Sequence, residues 1–182
     1  PSAERPKLYC NGNIDCHGEM QGLMKSLWSA IREGLESIQG KVVGITEYFD
    51  CFPIENSQSF EWEGIKFTPI QTVHVMAGFH IKYSYGLLIK EISEKYDHPI
   101  VFFTTDSQFC PNQILEFYRQ ADMIFHDCET SPFKSGVHAH YSELKTLKED
   151  VKKKMWLYHY QPNTLKDDEV IKDGFAGFIK KG

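Results

Sequence analysis

Six side chains in this 182-residue chain could together hold a cation or move a proton: His74, Asp106, Asp127, His138, His140 and His159. Imidazole and carboxylate groups bind borderline divalent cations such as zinc, and also manganese or iron. A carboxylate placed between two such cations can bridge them and keep both close to one water. Taken singly, each residue has a plain structural reading: a satisfied strand-end histidine, a turn or helix cap for Asp106, an Asx-turn for Asp127. Their placement is less ordinary. Ile65 to Val73 leads into His74, Ile100 to Thr105 into Asp106, Met123-Ile124-Phe125 into His126-Asp127, and Met155 to Tyr158 into His159. Four apolar runs that each end in His or Asp predict that these side chains meet at one edge of one sheet, although His74, Asp106 and His159 are 32 and 53 residues apart.

The elements that must position them follow from the same pattern. Ile100 to Thr105 is a run of strand-formers without alternation, which reads as a strand covered on both faces. Ser59 to Trp62, the Glu63-Gly64 turn and Ile65 to Ile70 read as a hairpin, and Tyr83 to Ile92 as a further strand in which Gly86 permits close approach of a neighbour. Pro111 opens a short helix through Tyr118, and Ser142 is the expected N-cap of another. Lys148 to Lys154 reads as a solvated charged connection. Upstream, Leu8 to Cys10 and Val42 to Ile45 read as short strands, and Met20 to Ser37 as an amphipathic helix. Strands alternating with helices on a mixed sheet give an α/β layered class. Nothing divides the chain, so residues 1–182 are read as a single domain.

Composition narrows the functions. A chain that is 41% hydrophobic and 14% aromatic is globular. A net charge of −5 supplies no global basic footprint for nucleic acid, leaving only a local basic groove open, and gives no attraction to an anionic membrane. No apolar run approaches the ~20 residues that span a bilayer. Five cysteines without a C-x-x-C pair point to a reducing compartment, the cytoplasm.

Read together, TPIQTVHV, SYGLLIK, VFFTTDSQF, MIFHDCET, VHAHYSEL and MWLYHYQP resemble the metallo-β-lactamase fold superfamily, in its phosphodiesterase-like and transfer-RNA 3′-processing branches. The resemblance implies a layered αβ/βα sandwich. It implies two divalent metal ions, zinc or alternatively manganese or iron. His74 would be a ligand of the first metal, Asp106 the bridge and His159 a ligand of the second. Asp127 would orient a histidine of the following loop, His138 or His140, which assists the leaving group. His140 has the better spacing to the helix start. The superfamily's H-x-H-x-D-H signature is absent. The chain therefore reads as the carboxyl-terminal part of a longer domain, incomplete on its amino-terminal side, with the remaining ligands supplied from outside it.

By this resemblance the intact protein is expected to be a hydrolase that uses a binuclear metal-activated water on a small-molecule or nucleotide phosphodiester, the isolated 182 residues being inactive. An unpaired sheet edge would favour a homodimer. The alternative is a non-catalytic, metal-free relative that binds a ligand or partner through the aromatic residues Tyr48, Phe49, Phe52, Phe60 and Trp62.

Overall fold

The computed structural model describes residues 4–11, 40, 47–55, 58–162 and 164–180, and the chain divides into two compact units, 1–58 and 59–182. In the first unit, β1 (Lys7–Asn11) and β2 (Asp50–Ile54) pair in parallel, from Lys7 opposite Asp50 to Asn11 opposite Ile54. Tyr9 stacks on Phe52 at 5.3 Å, and Arg5 pairs with Asp50 at 3.0 Å. The expected helix over 20–37 and strand over 42–45 lie outside the described residues. Cys10 is disulfide-bonded, so the reading of a reducing compartment does not extend to it, whereas Cys51, Cys110 and Cys128 are free thiols.

The second unit is built on a seven-stranded mixed sheet in sequential order. Its strands are β3 (Phe60–Trp62), β4 (Ile65–Ala77), β5 (His80–Glu91), β6 (Val101–Phe103), β7 (Met123–Asp127), β8 (Met155–Tyr158) and β9 (Gly177–Phe178). β3 to β6 are antiparallel to their neighbours and β6 to β9 run parallel. The Glu63-Gly64 turn has positive φ at both residues, 48° and 77°, which is the geometry that lets a two-residue loop follow the strand twist. Gly86 is required where it stands, since a Cβ there would lie 2.9 Å from the Phe103 carbonyl oxygen on the neighbouring strand.

Parallel neighbours need crossovers, and helices supply them. α1 (Pro111–Gln120) joins β6 to β7, α2 (Tyr141–Leu144) and α3 (Glu149–Lys152) join β7 to β8, and α4 (Asp167–Lys172) joins β8 to β9. Each helix sends a side chain into one core cluster: Ile114 and Tyr118, Leu144, Val151, and Val170, packed with Phe102, Ile124, Met155, Leu157 and Phe178 of the sheet. Burying a Phe, Ile or Leu of that set contributes ~1.5–3 kcal/mol each. Phe102 is wholly buried while Val101 and Phe103 beside it are half-buried, and Met123 remains 39% exposed. The run at Ile100 is thus fully covered on the helix face only, and the strand it forms is three residues long.

Three local expectations change. α2 starts two positions earlier than expected, with His140 and not Ser142 as N-cap. The stretch 148–154 contains α3, whose Val151 is buried in the core. His74 is not at a strand end, because β4 continues to Ala77. It is the extra residue of a bulge: Val73 faces Tyr83 and Val75 faces Lys82, so His74 has no partner across the ladder.

Candidate functional site

The parallel strands deliver their carboxyl ends to one place, and the backbone turns sharply there. Thr105 and His159 both have positive φ, 54° and 67°. A β-branched residue in that region is a true outlier, and strain of this kind costs of the order of 1–3 kcal/mol per residue. The two strained residues are the one before Asp106 and His159 itself. Hydroxyl groups hold the turn: Thr105 Oγ1 donates to the Tyr85 carbonyl at 3.0 Å, and Ser84 Oγ donates to the Asp106 carbonyl while sharing a 2.7 Å hydrogen bond with buried Thr72.

Asp127 is the hub. It is fully buried, and its Oδ2 accepts from the Ser107 backbone N–H at 2.9 Å and from His138 Nδ1 at 2.7 Å. Its Oδ1 faces His159 Nδ1 at 3.2 Å, and the same nitrogen lies 3.5 Å from Asp106 Oδ1. A carboxylate removed from water needs this degree of pairing. The rings of His138 and His159 are 4.3 Å apart, edge to face. Asp106, Asp127, His138 and His159 each offer a donor atom, and these atoms all lie within 4.8 Å of one another. His74 stands beside this group, its ring 6.2 Å from that of His138, and its Nδ1 is buried without a partner.

His138 and His140, the alternatives for the loop histidine, are separated by what their nitrogens touch. His140 caps α2: its Nδ1 meets the Ser142 hydroxyl at 2.8 Å and the Ser142 N–H at 3.2 Å, while its Nε2 donates to the Ser131 carbonyl at 2.9 Å. Both ring nitrogens are therefore engaged, and neither touches Asp127. His140, preferred for its spacing to a helix start, does stand immediately before α2, where its ring serves as the N-cap. His138 holds the contact to Asp127 instead.

His126 points away from this cluster, as strand alternation requires. It is fully buried, its imidazole pushed down to about 4 by burial, and it packs against Tyr118. Cys128 is also buried, and burial pushes its thiol up, so it offers no thiolate. Sequence reasoning missed the supporting hydroxyls of Thr72, Ser84 and Thr104. Their contacts cross 12 to 23 positions of sequence and leave no periodic trace.

Oxygen and imidazole donors converging on a partly exposed spot, with an orphaned histidine nitrogen alongside, fit a divalent metal ion. A sequence model described as Anti-Pycsar protein Apyc1 matches residues 6–182. The chain belongs to that family. The Anti-Pycsar protein Apyc1 of Paenibacillus harenae is 32% identical over 144 residues, which are 76% of this chain and 52% of that relative. The chain thus spans about half the length of the Apyc1 protein it matches. Among solved structures it is similar to a diphosphatase of the PhnP family, with a TM-score of 0.58 and 18% identity over 97% of this chain and 55% of that one. It is also similar to YhfI of Bacillus subtilis, a metallo-β-lactamase fold protein, with a TM-score of 0.52 and 17% identity over 80% and 57%. Unliganded yeast PDE1 gives a TM-score of 0.53 and 9% identity over 95% and 54%. At these identities the likeness concerns the fold. This member of the Apyc1 family has the α/β metallo-β-lactamase fold that its motifs resemble. The aromatic residues of the alternative reading are distributed between the two units, where Phe52 stacks on Tyr9 and Phe60 on Phe67 at 5.2 Å. Among the described residues no helix is long and apolar enough to cross a membrane.

Proposed function

We propose that the protein is a metal-dependent hydrolase of a phosphodiester, carried by a small molecule or a nucleotide. The convergence of Asp106, Asp127, His138 and His159, with donor atoms within 4.8 Å of one another, carries this reading. His74, Asp106 and His159 would hold two divalent cations, Asp106 between them, with further ligands from outside these 182 residues. Bound cations would supply Lewis acidity toward a phosphoryl oxygen and lower the pKa of a water.

The chain's own groups do the rest. Asp127, buried and anchored by the Ser107 N–H, fixes His138 and faces His159 through their Nδ1 atoms, which sets ring direction and tautomer. With Nδ1 committed to Asp127, Nε2 of His138 is the nitrogen free to give a proton to the leaving oxygen. His140 could do so only by giving up a helix cap. The likeness to a diphosphatase of the PhnP family supports a phosphate substrate.

The test uses the full-length protein expressed with manganese or zinc. Metal analysis and hydrolysis of bis-p-nitrophenyl phosphate, a cyclic nucleotide monophosphate and a thioester are measured together. Expected are bound metal and turnover of the phosphodiesters, abolished by Asp106→Ala. A metal content near zero after metal-replete expression would overturn the reading in favour of a non-catalytic binding protein.

A further inference from the structure

Asp127 is the last residue of β7, and its backbone is held in an unusual way. The N–H and C=O of one strand residue point toward the same neighbouring strand. β6, on one side of β7, stops at Phe103. From there Thr104 continues the contact, its N–H donating to the Phe125 carbonyl at 3.0 Å and its Oγ1 accepting from the Asp127 N–H at 3.0 Å. The Asp127 carbonyl meets His126, whose Nδ1 lies 2.6 Å from it, and His126 Nε2 lies 2.6 Å from the Tyr118 hydroxyl. His126 and Tyr118 are both wholly buried.

The protons in this chain can be arranged in one way. A carbonyl oxygen only accepts, so Nδ1 carries the imidazole proton, Nε2 is the acceptor, and the Tyr118 O–H donates to it. α1 is thereby connected through the sheet to the peptide that carries the Asp127 carboxylate. A buried network satisfied at every member is rigid, and one left half satisfied strands a desolvated polar group without a partner. We propose that Tyr118 and His126 are positioning residues: by fixing the Asp127 carbonyl they fix the direction of its carboxylate, and through it the two imidazoles and the cation affinity of the cluster. This rests on the metal-site reading of Asp127. Beyond that reading, it places part of the site's control on a helix that contributes no ligand.

Three variants of the full-length protein test it: His126→Leu, which removes both nitrogens, His126→Asn, which keeps an N–H where Nδ1 stands, and Tyr118→Phe. Zinc and manganese dissociation constants are measured by equilibrium dialysis on protein whose circular dichroism confirms folding. The Nδ1–H proton resonance of His138 is recorded in the metal-free state. His126→Leu is expected to weaken cation binding about 10- to 100-fold, as loss of a group that orients a ligand does, and to broaden the His138 resonance. His126→Asn should restore most of both, and Tyr118→Phe should lie between. A folded His126→Leu with unchanged affinity and an unchanged His138 resonance overturns the proposal. If His126→Leu does not fold, Tyr118→Phe decides by the same two measurements. If the parent protein binds no cation, the hydrolase reading fails and the relay is judged by the His138 resonance alone.

Discussion

Asp127 and Glu129 stand two positions apart where β7 ends, and both carboxylates are buried. Asp127 receives one backbone N–H and faces two imidazoles. Glu129 receives the Ser131 hydroxyl at 2.7 Å, the Ser135 N–H at 2.9 Å and the Ser135 hydroxyl at 2.8 Å. An imidazole can exchange a proton for a cation at its other nitrogen, and a serine hydroxyl bonded to a carboxylate cannot. The same chemical group thus serves as the hub of the proposed site in one case and as the anchor of a loop in the other. Burial and charge do not distinguish them, whereas the identity of the donors does.

The largest effect should come from breaking the first member. Asp127→Asn keeps the shape but presents an amide that can no longer accept from His138 and face His159 with two equivalent oxygens. Cation affinity is expected to fall about 10- to 100-fold, and His138→Ala to lower turnover by about 10² to 10⁴ through loss of proton donation. Equilibrium dialysis and phosphodiester turnover check the pair. If Asp127→Asn retains its metal and loses only stability, Asp127 is a strut like Glu129 and the contrast disappears.

Glu129→Gln should act on stability alone. Burial disfavours the Glu129 charge, but the Ser135 amide, the two serine hydroxyls and the nearby His140 outweigh it and hold the carboxyl below its ordinary range. A folded-state value that is lowered gives stability that is present above the unfolded value of about 4.3 and is lost as pH falls through the folded value. Glu129→Gln should therefore cost about 2 kcal/mol near neutral pH, the worth of a charge-assisted hydrogen bond. It should also flatten the loss of stability below about pH 4.3. Urea midpoints across pH 3 to 7 measure both, and a drop in cation affinity matching that of Asp127→Asn would show that the two carboxylates are not separate in function.

The sequence made the frame of this contrast readable and left its details hidden. Apolar runs ending in Asp106, Asp127 and His159 marked the parallel strands, and Glu63-Gly64 and Pro111 marked a turn and a helix start, since each depends on local residue type. α4 escaped because a six-residue helix with one buried residue, Val170, carries almost no periodicity. The bulge at His74 escaped because a strand with an extra residue looks like a longer strand. The partners of Asp127 and Glu129 are contacts of loops, set by where the chain is cut by caps and turns. His140 followed three residues later by Glu143 was a capping-box spacing with histidine in place of serine. Read that way, it would have assigned His140 to the cap and left His138 for Asp127.

That assignment leads to the smallest effect. His140 Nδ1 accepts from Ser142, its Nε2 donates to Ser131, and the Glu143 carboxylate returns to the His140 N–H at 3.2 Å. Replacing an N-cap by alanine costs about 1 kcal/mol. His140→Ala should therefore lower the unfolding midpoint modestly, while cation affinity and phosphodiester turnover at 25 °C stay near those of the parent. His140→Asn, which restores a capping oxygen, should recover much of the lost stability. The measurement is a thermal melt of each variant beside its turnover under saturating manganese or zinc. Should His140→Ala abolish turnover while its melt is unchanged, the proton donor is His140 after all. The contact between His138 and Asp127 would then be a structural one, of the same kind as the serine contacts of Glu129.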